Sequence, residues 1–102
     1  MNITNQIKTE RFYVLFALYI ASEADYEFGM NLAALAENRG IKPARFKKIY
    51  RYFIEEKFIE PRDGGSEFHA AITHNGIKAT EEVFLDQHRQ TYYFPSFREM
   101  MR

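Results

Sequence analysis

Early in the second half of the chain stand Asp63, Gly64, Gly65 and Ser66, flanked by Phe58 to Arg62 and by Glu67 to Thr73. Two adjacent glycines can both take positive φ, so this tetrapeptide predicts a two-residue β-hairpin turn. With Asp63 opposite Ser66, Arg62 faces Glu67, Pro61 faces Phe68 and Ile59 faces Ala70. Ile59, Pro61, Phe68, Ala70 and Ile72 then share one face, and a slip of one residue would scatter it. Pro61 has no N–H to donate, which places its strand at a sheet edge.

Helical patterns surround the hairpin. The first is expected from about Asn5 to Ser22, with Thr4 as its N-cap. Its second half, Phe12 to Ala21, is apolar on every side, so it has to be covered on most sides. Tyr26 to Met30 reads as a brief extended segment. Asn31 can cap a second helix from Leu32 to about Arg39, and Gly40 supplies a left-handed stop. Pro43 suits the first position of a third helix, which is expected to reach about Lys57. Phe46, Ile49, Tyr50, Phe53 and Ile54 form its inward face, leaving Ala44, Arg45, Lys48, Arg51, Tyr52 and Glu55 outside. Thr73 can cap a long fourth helix through about Thr91, with Ile77, Thr80, Val83, Phe84 and His88 along one side. Beyond Pro95, Ser96 to Glu99 fits a capping box that opens a last helical turn.

The order is helix, extended piece, two-turn helix, glycine turn, basic helix, glycine-tipped hairpin, long helix: an α+β fold, mostly α. The segment Leu32-Ala-Ala-Leu-Ala-Glu-Asn-Arg-Gly-Ile-Lys-Pro43, the strand Phe58-Ile-Glu-Pro-Arg62 and the run Ile72-Thr-His-Asn-Gly76 carry a resemblance. Together they resemble the winged helix-turn-helix superfamily, in particular the small bacterial PadR-type and MarR-type regulators. The resemblance implies a three-helix core, a hairpin wing and a long C-terminal helix over residues 1–91, with residues 92–102 as an aromatic arm. It also implies double-stranded DNA as partner. The wing departs from the family pattern, because Asp63 and Glu67 leave Arg62 as its one base.

Charge refines this expectation. Fourteen basic and 14 acidic side chains cancel, so the overall balance points to no polyanion. The distribution is uneven: Arg39, Lys42, Arg45, Lys47, Lys48 and Arg51 fall in a stretch, Asn38 to Ile54, that holds no Asp or Glu. A helix dipole disfavours cations at its N-terminus by roughly 0.3–1 kcal/mol each, so stability alone would not choose this order. Phosphate would reverse the sign. Arg45 and Lys48 are therefore assigned to base edges, Arg39, Lys42, Lys47 and Arg51 to phosphates, with Tyr52 and Arg62 at the margins. The expected function is transcriptional regulation through the major groove; the alternative is a protein-interaction module of the same fold that does not bind DNA.

The first helix and the arm suggest a homodimer through Phe12, Leu15, Phe16, Tyr19, Tyr92, Tyr93, Phe94, Phe97, Met100 and Met101. The competing arrangement folds the arm back on the first helix of its own chain. Catalytic signals are sparse. There is no cysteine, no phosphate loop and no nucleophile elbow, and Glu55-Glu56 and Glu81-Glu82 are neighbours that diverge on a helix. His74 and His88 are expected about 21 Å apart on one helix, too far to share a metal, and His69 is expected to point outward from the wing. No enzyme activity, cofactor or metal is expected. With no leader pattern and no apolar run near the ~20 residues of a membrane span, a cytoplasmic location is the expectation.

Overall fold

A computed structural model describes residues 2–101. Among them are the helices α1 (Ile3–Ala21), α2 (Leu32–Asn38), α3 (Pro43–Glu55), α4 (His74–Leu85) and α5 (Phe97–Met100), and the strands β1 (Met30–Asn31), β2 (Ile59–Pro61) and β3 (His69–Ile72). The fold is α+β and mostly helical, and no described helix is long and apolar enough to cross a membrane. Residues 1 and 102, the outer ends of the two expected segments, lie outside the described residues.

Helix α1 begins two residues before its expected first turn. Asn2 takes the N-cap, accepting a hydrogen bond from the Asn5 amide at 2.8 Å, so Thr4 lies inside the helix. The all-round apolar segment is covered as required: α2, α4 and β3 pack on α1, and Phe12, Val14, Leu15 and Leu18 are fully buried. Asn31 caps α2 by accepting from the Ala33 amide. Gly40 adopts φ +73°. The Ile41 amide then donates to the Ala36 carbonyl and the Gly40 amide to that of Glu37, the paired closure of a Schellman motif. Helix α3 closes the same way without glycine: Lys57 takes φ +59°, the Phe58 amide reaches the Phe53 carbonyl, and the two rings pack 6.2 Å apart. That left-handed residue is why α3 stops at Glu55 rather than Lys57.

The sheet order is β1-β3-β2, antiparallel, with Pro61 on an edge strand as its missing donor requires. The hairpin register differs from expectation. Ile59 pairs with Ile72 and Pro61 with Ala70, a shift of two that preserves which residues share a face. The ladder ends where the Arg62 amide donates to the His69 carbonyl, and residues 63–68 form a wider loop in place of the two-residue turn. Two contacts explain the widening. The Phe68 carbonyl accepts from the Leu32 amide at 3.0 Å, and the Phe68 ring meets Phe46 and Tyr50 of α3 edge-on at 5.0 and 5.1 Å. Phe68 gains more by docking on α3 than by standing opposite Pro61, which is exposed. His69, expected to point outward, is half-buried: its ring lies so close to Gly64 that a Cβ there would fall 2.4 Å from it.

Thr73 caps α4 through the Gly76 amide and donates its hydroxyl to the Lys57 carbonyl. Gly76 lets α4 approach the backbone of Phe58, just ahead of β2, since a Cβ at that position would lie 2.3 Å from the Phe58 carbonyl oxygen. Helix α4 ends at Leu85, short of Thr91, because Asp86 turns extended and the chain reverses. A second turn follows at Thr91, whose hydroxyl accepts from the Tyr93 and Phe94 amides. This reversal seats Phe94 edge-on against Phe12 at 5.3 Å, 1% exposed. Ser96 caps α5 through the Glu99 amide, but the Glu99 carboxylate accepts from the Asn5 side chain of α1 instead of completing the box. The arm thus packs on α1 of its own chain.

Candidate nucleic-acid interface

Helix α3 stands on a face of Phe46, Ile49 and Phe53, all buried, with Tyr50 half-buried beside them. At about 100° per residue, the opposite arc carries Ala44, Lys47, Lys48 and Arg51, spaced i, i+3, i+4 and i+7. All four are exposed. Among the described residues none of Lys42, Lys47, Lys48 and Arg51 has an ion-pair partner. Pro43 occupies the first helical position and no side chain caps the N-terminus, so its amides face outward beside these cations.

The expected site residues divide into two groups. Arg45 and Tyr52 turn toward α1. Arg45 forms an ion pair with Glu10, and the Arg11 guanidinium lies 3.7 Å above the centre of the Tyr52 ring. Burial raises the Tyr52 phenol above its ordinary value, while the Arg11 charge pulls it down. Arg39 leans on the Tyr13 ring at 4.9 Å, and the Tyr13 hydroxyl donates to the Met100 carbonyl of α5. The unengaged stripe is therefore Lys47, Lys48 and Arg51, with Lys42 at its head, and its centre has moved away from Arg45. Glu10 and Arg11, which engage the α1 margin of α3, carry no distinguishing spacing in the sequence. Only the packing of α1 against α3 brings them there.

The loop beyond β2 is not a second basic element. Arg62 donates to Glu60 at 3.2 Å and to the Tyr26 carbonyl at 3.0 Å, so its charge is folded back on the protein. Asp63 and Glu67 are exposed on the loop, and after burial the Glu67 charge adds to the rise of the Tyr50 phenol.

Of the aromatic and methionine residues expected at a homodimer contact, Phe12, Leu15, Phe94 and Met100 are buried within the chain. Phe16, Tyr19, Tyr93 and Phe97 are half-buried, and Tyr92 and Met101 are exposed. Tyr19 donates to Glu81 at 2.6 Å, the main cause of its raised phenol pKa. His88 lies beyond the end of α4, so it does not share a helix with His74. Among the described residues no cluster of three His, Cys, Asp or Glu is placed to hold a metal ion. A cleft of about 500 Å³ opens beside Arg45, walled by Glu10, Tyr13, Glu99 and Met100. Compared with known proteins, the sequence matches no family model, no curated protein and no solved structure.

Proposed function

We propose that the protein is a winged helix-turn-helix DNA-binding protein, a transcriptional regulator that places α3 in the major groove. In this reading α2, the Gly40 turn and α3 form the helix-turn-helix, and the loop at residues 63–68 is the wing. The observation that carries it is the stripe of Lys47, Lys48 and Arg51, exposed and, among the described residues, without ion-pair partners, on a helix whose N-terminus has no side-chain cap. Lys42, Lys47, Lys48 and Arg51 hold phosphates, which positions the N-terminal turns of α3 in the groove. Arg39 and Arg45, engaged by Tyr13 and Glu10, contribute less than the sequence pattern implies.

The second reading is a protein-interaction module of the same fold. It is favoured by the acidic wing loop and by the inward turn of Arg62. A salt series with labelled random duplex DNA separates the two. About four phosphate contacts give a log–log slope near −3.6, or roughly a hundredfold loss of affinity between 50 and 200 mM salt. Affinity that is absent, or flat with salt, rejects the DNA reading.

A further inference from the structure

Strand β2 is an open edge of the sheet, and the ladder fixes which of its backbone groups face outward. In an antiparallel pair, residues bonded to the partner strand alternate with residues that point away from it. The Thr73 amide donates to the Phe58 carbonyl and the Arg62 amide to the His69 carbonyl, so Phe58, Glu60 and Arg62 face β3. Ile59 and Pro61 turn their backbone groups to the open side instead. They offer one N–H and two carbonyls, because Pro61 has no N–H. None of the hydrogen bonds among the described residues engages these three groups. Ile59 is only 3% exposed, and backbone donors at buried positions are rarely left unpaired.

A groove of about 450 Å³ lies against the same strand. Ile54, Ile59 and Pro61 give it an apolar wall, and Lys57, His74 and Asn75 line its polar side. The Glu60 side chain projects from the opposite face of β2 to those of Ile59 and Pro61. It is 61% exposed and accepts from Arg62 through Oε1, which leaves Oε2 without a partner among the described residues.

We propose that the open edge of β2 is completed by an extended segment of a partner protein with the pattern apolar, lysine, apolar, added as a short antiparallel strand. The residue opposite Ile59 accepts from its N–H and donates to its carbonyl, and the residue opposite Pro61 donates to that carbonyl. Three bonds form. The two apolar side chains lie on the face of Ile59 and Pro61, beside the groove, and the lysine between them meets Glu60 across the strands. Proline at the edge stops a longer ladder, which keeps the pairing short. A second copy of this chain fits less well. Laid antiparallel with Ile59 opposite Pro61, it forms two bonds and sets Glu60 against Glu60. With Ile59 opposite Ile59 it again forms two, because the Lys57 amide that would reach Pro61 already donates to the Ile54 carbonyl. The edge does not include Lys47, Lys48 or Arg51, so the inference does not rest on DNA binding.

The test is a titration of the full-length ¹⁵N-labelled protein with a capped Thr-Val-Lys-Val-Thr peptide and with versions N-methylated at single residues. Saturable shifts are expected at the Ile59 and Glu60 amides, with slowed hydrogen exchange at the Ile59 N–H. N-methylation of either valine removes a donor to β2 and should weaken binding about fivefold or more. N-methylation of the lysine, whose amide points away from β2, should leave affinity nearly unchanged. Glu60→Lys, at an exposed site, should weaken the parent peptide and favour Thr-Val-Glu-Val-Thr instead. Equal affinity for the valine-methylated and parent peptides, or no saturable shift at the Ile59 amide, would overturn the proposal. Ile59 shifts that grow with protein concentration in the absence of peptide would also overturn it and would give the edge to a second copy.

Discussion

Truncating Phe94 to Ala tests whether the C-terminal arm belongs to the core of its own chain. The ring is 1% exposed and meets Phe12, itself fully buried, edge-on at 5.3 Å. Removing a buried Phe side chain costs about 3–5 kcal/mol in transfer and cavity terms, and the lost aromatic pair places this site in the upper half of that range. A domain of this size holds only about 5–15 kcal/mol in total, so the loss is a large share of it. With a urea dependence of about 1.5 kcal/mol per molar, the unfolding midpoint should fall by roughly 3 M. The assay is urea denaturation followed by circular dichroism, repeated over a hundredfold range of protein concentration. Since Phe94 packs on α1 of the same chain, neither the parent nor the variant midpoint should move with concentration. A fall of less than about 0.5 M would refute the burial argument. A parent midpoint that climbs with concentration would show that the arm is stabilised by a second copy instead.

Two further substitutions probe single contacts. Gly76→Ala should destabilise the protein by about 2–3 kcal/mol although alanine is the better helix former, because its Cβ would meet the Phe58 carbonyl oxygen at 2.3 Å; an unchanged melting temperature would contradict that. Glu10→Gln should release Arg45 and steepen the salt dependence of DNA binding by about 0.9 in log–log slope. Its effect on stability should stay within about 1 kcal/mol, since the Arg45 side chain is 57% exposed and exposed ion pairs contribute little. An unchanged slope in a variant that binds DNA would show that Arg45 was never restrained.

Local signals placed most helix boundaries, although Asn2 rather than Thr4 caps α1. Asn31, Gly40, Pro43, Thr73 and Ser96 all sit at the helix boundaries their chemistry predicts, and Pro61 lies on an edge strand. The inward face of α3 likewise follows from its period. The register of the hairpin depends on contacts far apart in the chain. The hairpin register slipped by two because Phe68 prefers Phe46 and Tyr50 to a place opposite Pro61. Alternation cannot detect such a slip, because it leaves each side chain on the same face. The end of α4 does carry a local signal, since Asp86 turns extended and its carboxylate accepts from the His88 amide in an Asx turn that a helix through Thr91 overlooks. At the candidate interface the charge run marked the helix but not which cations remain free. Arg45 and Lys48 look equivalent along α3, and the Glu10 side chain on α1 is what separates them.

We propose Lys47, Lys48 and Arg51 as the DNA-contacting stripe of α3. This is tested most directly by comparing salt-dependent duplex binding of the parent with a Lys47→Ala, Lys48→Ala, Arg51→Ala variant. All three side chains are exposed, so circular dichroism should show the variant folded as the parent. The log–log salt slope should become shallower by about 2.7, one increment of about 0.9 for each cation removed, with affinity reduced on every duplex. A folded variant that keeps the parent's slope and affinity would mean that α3 is not the element that meets DNA.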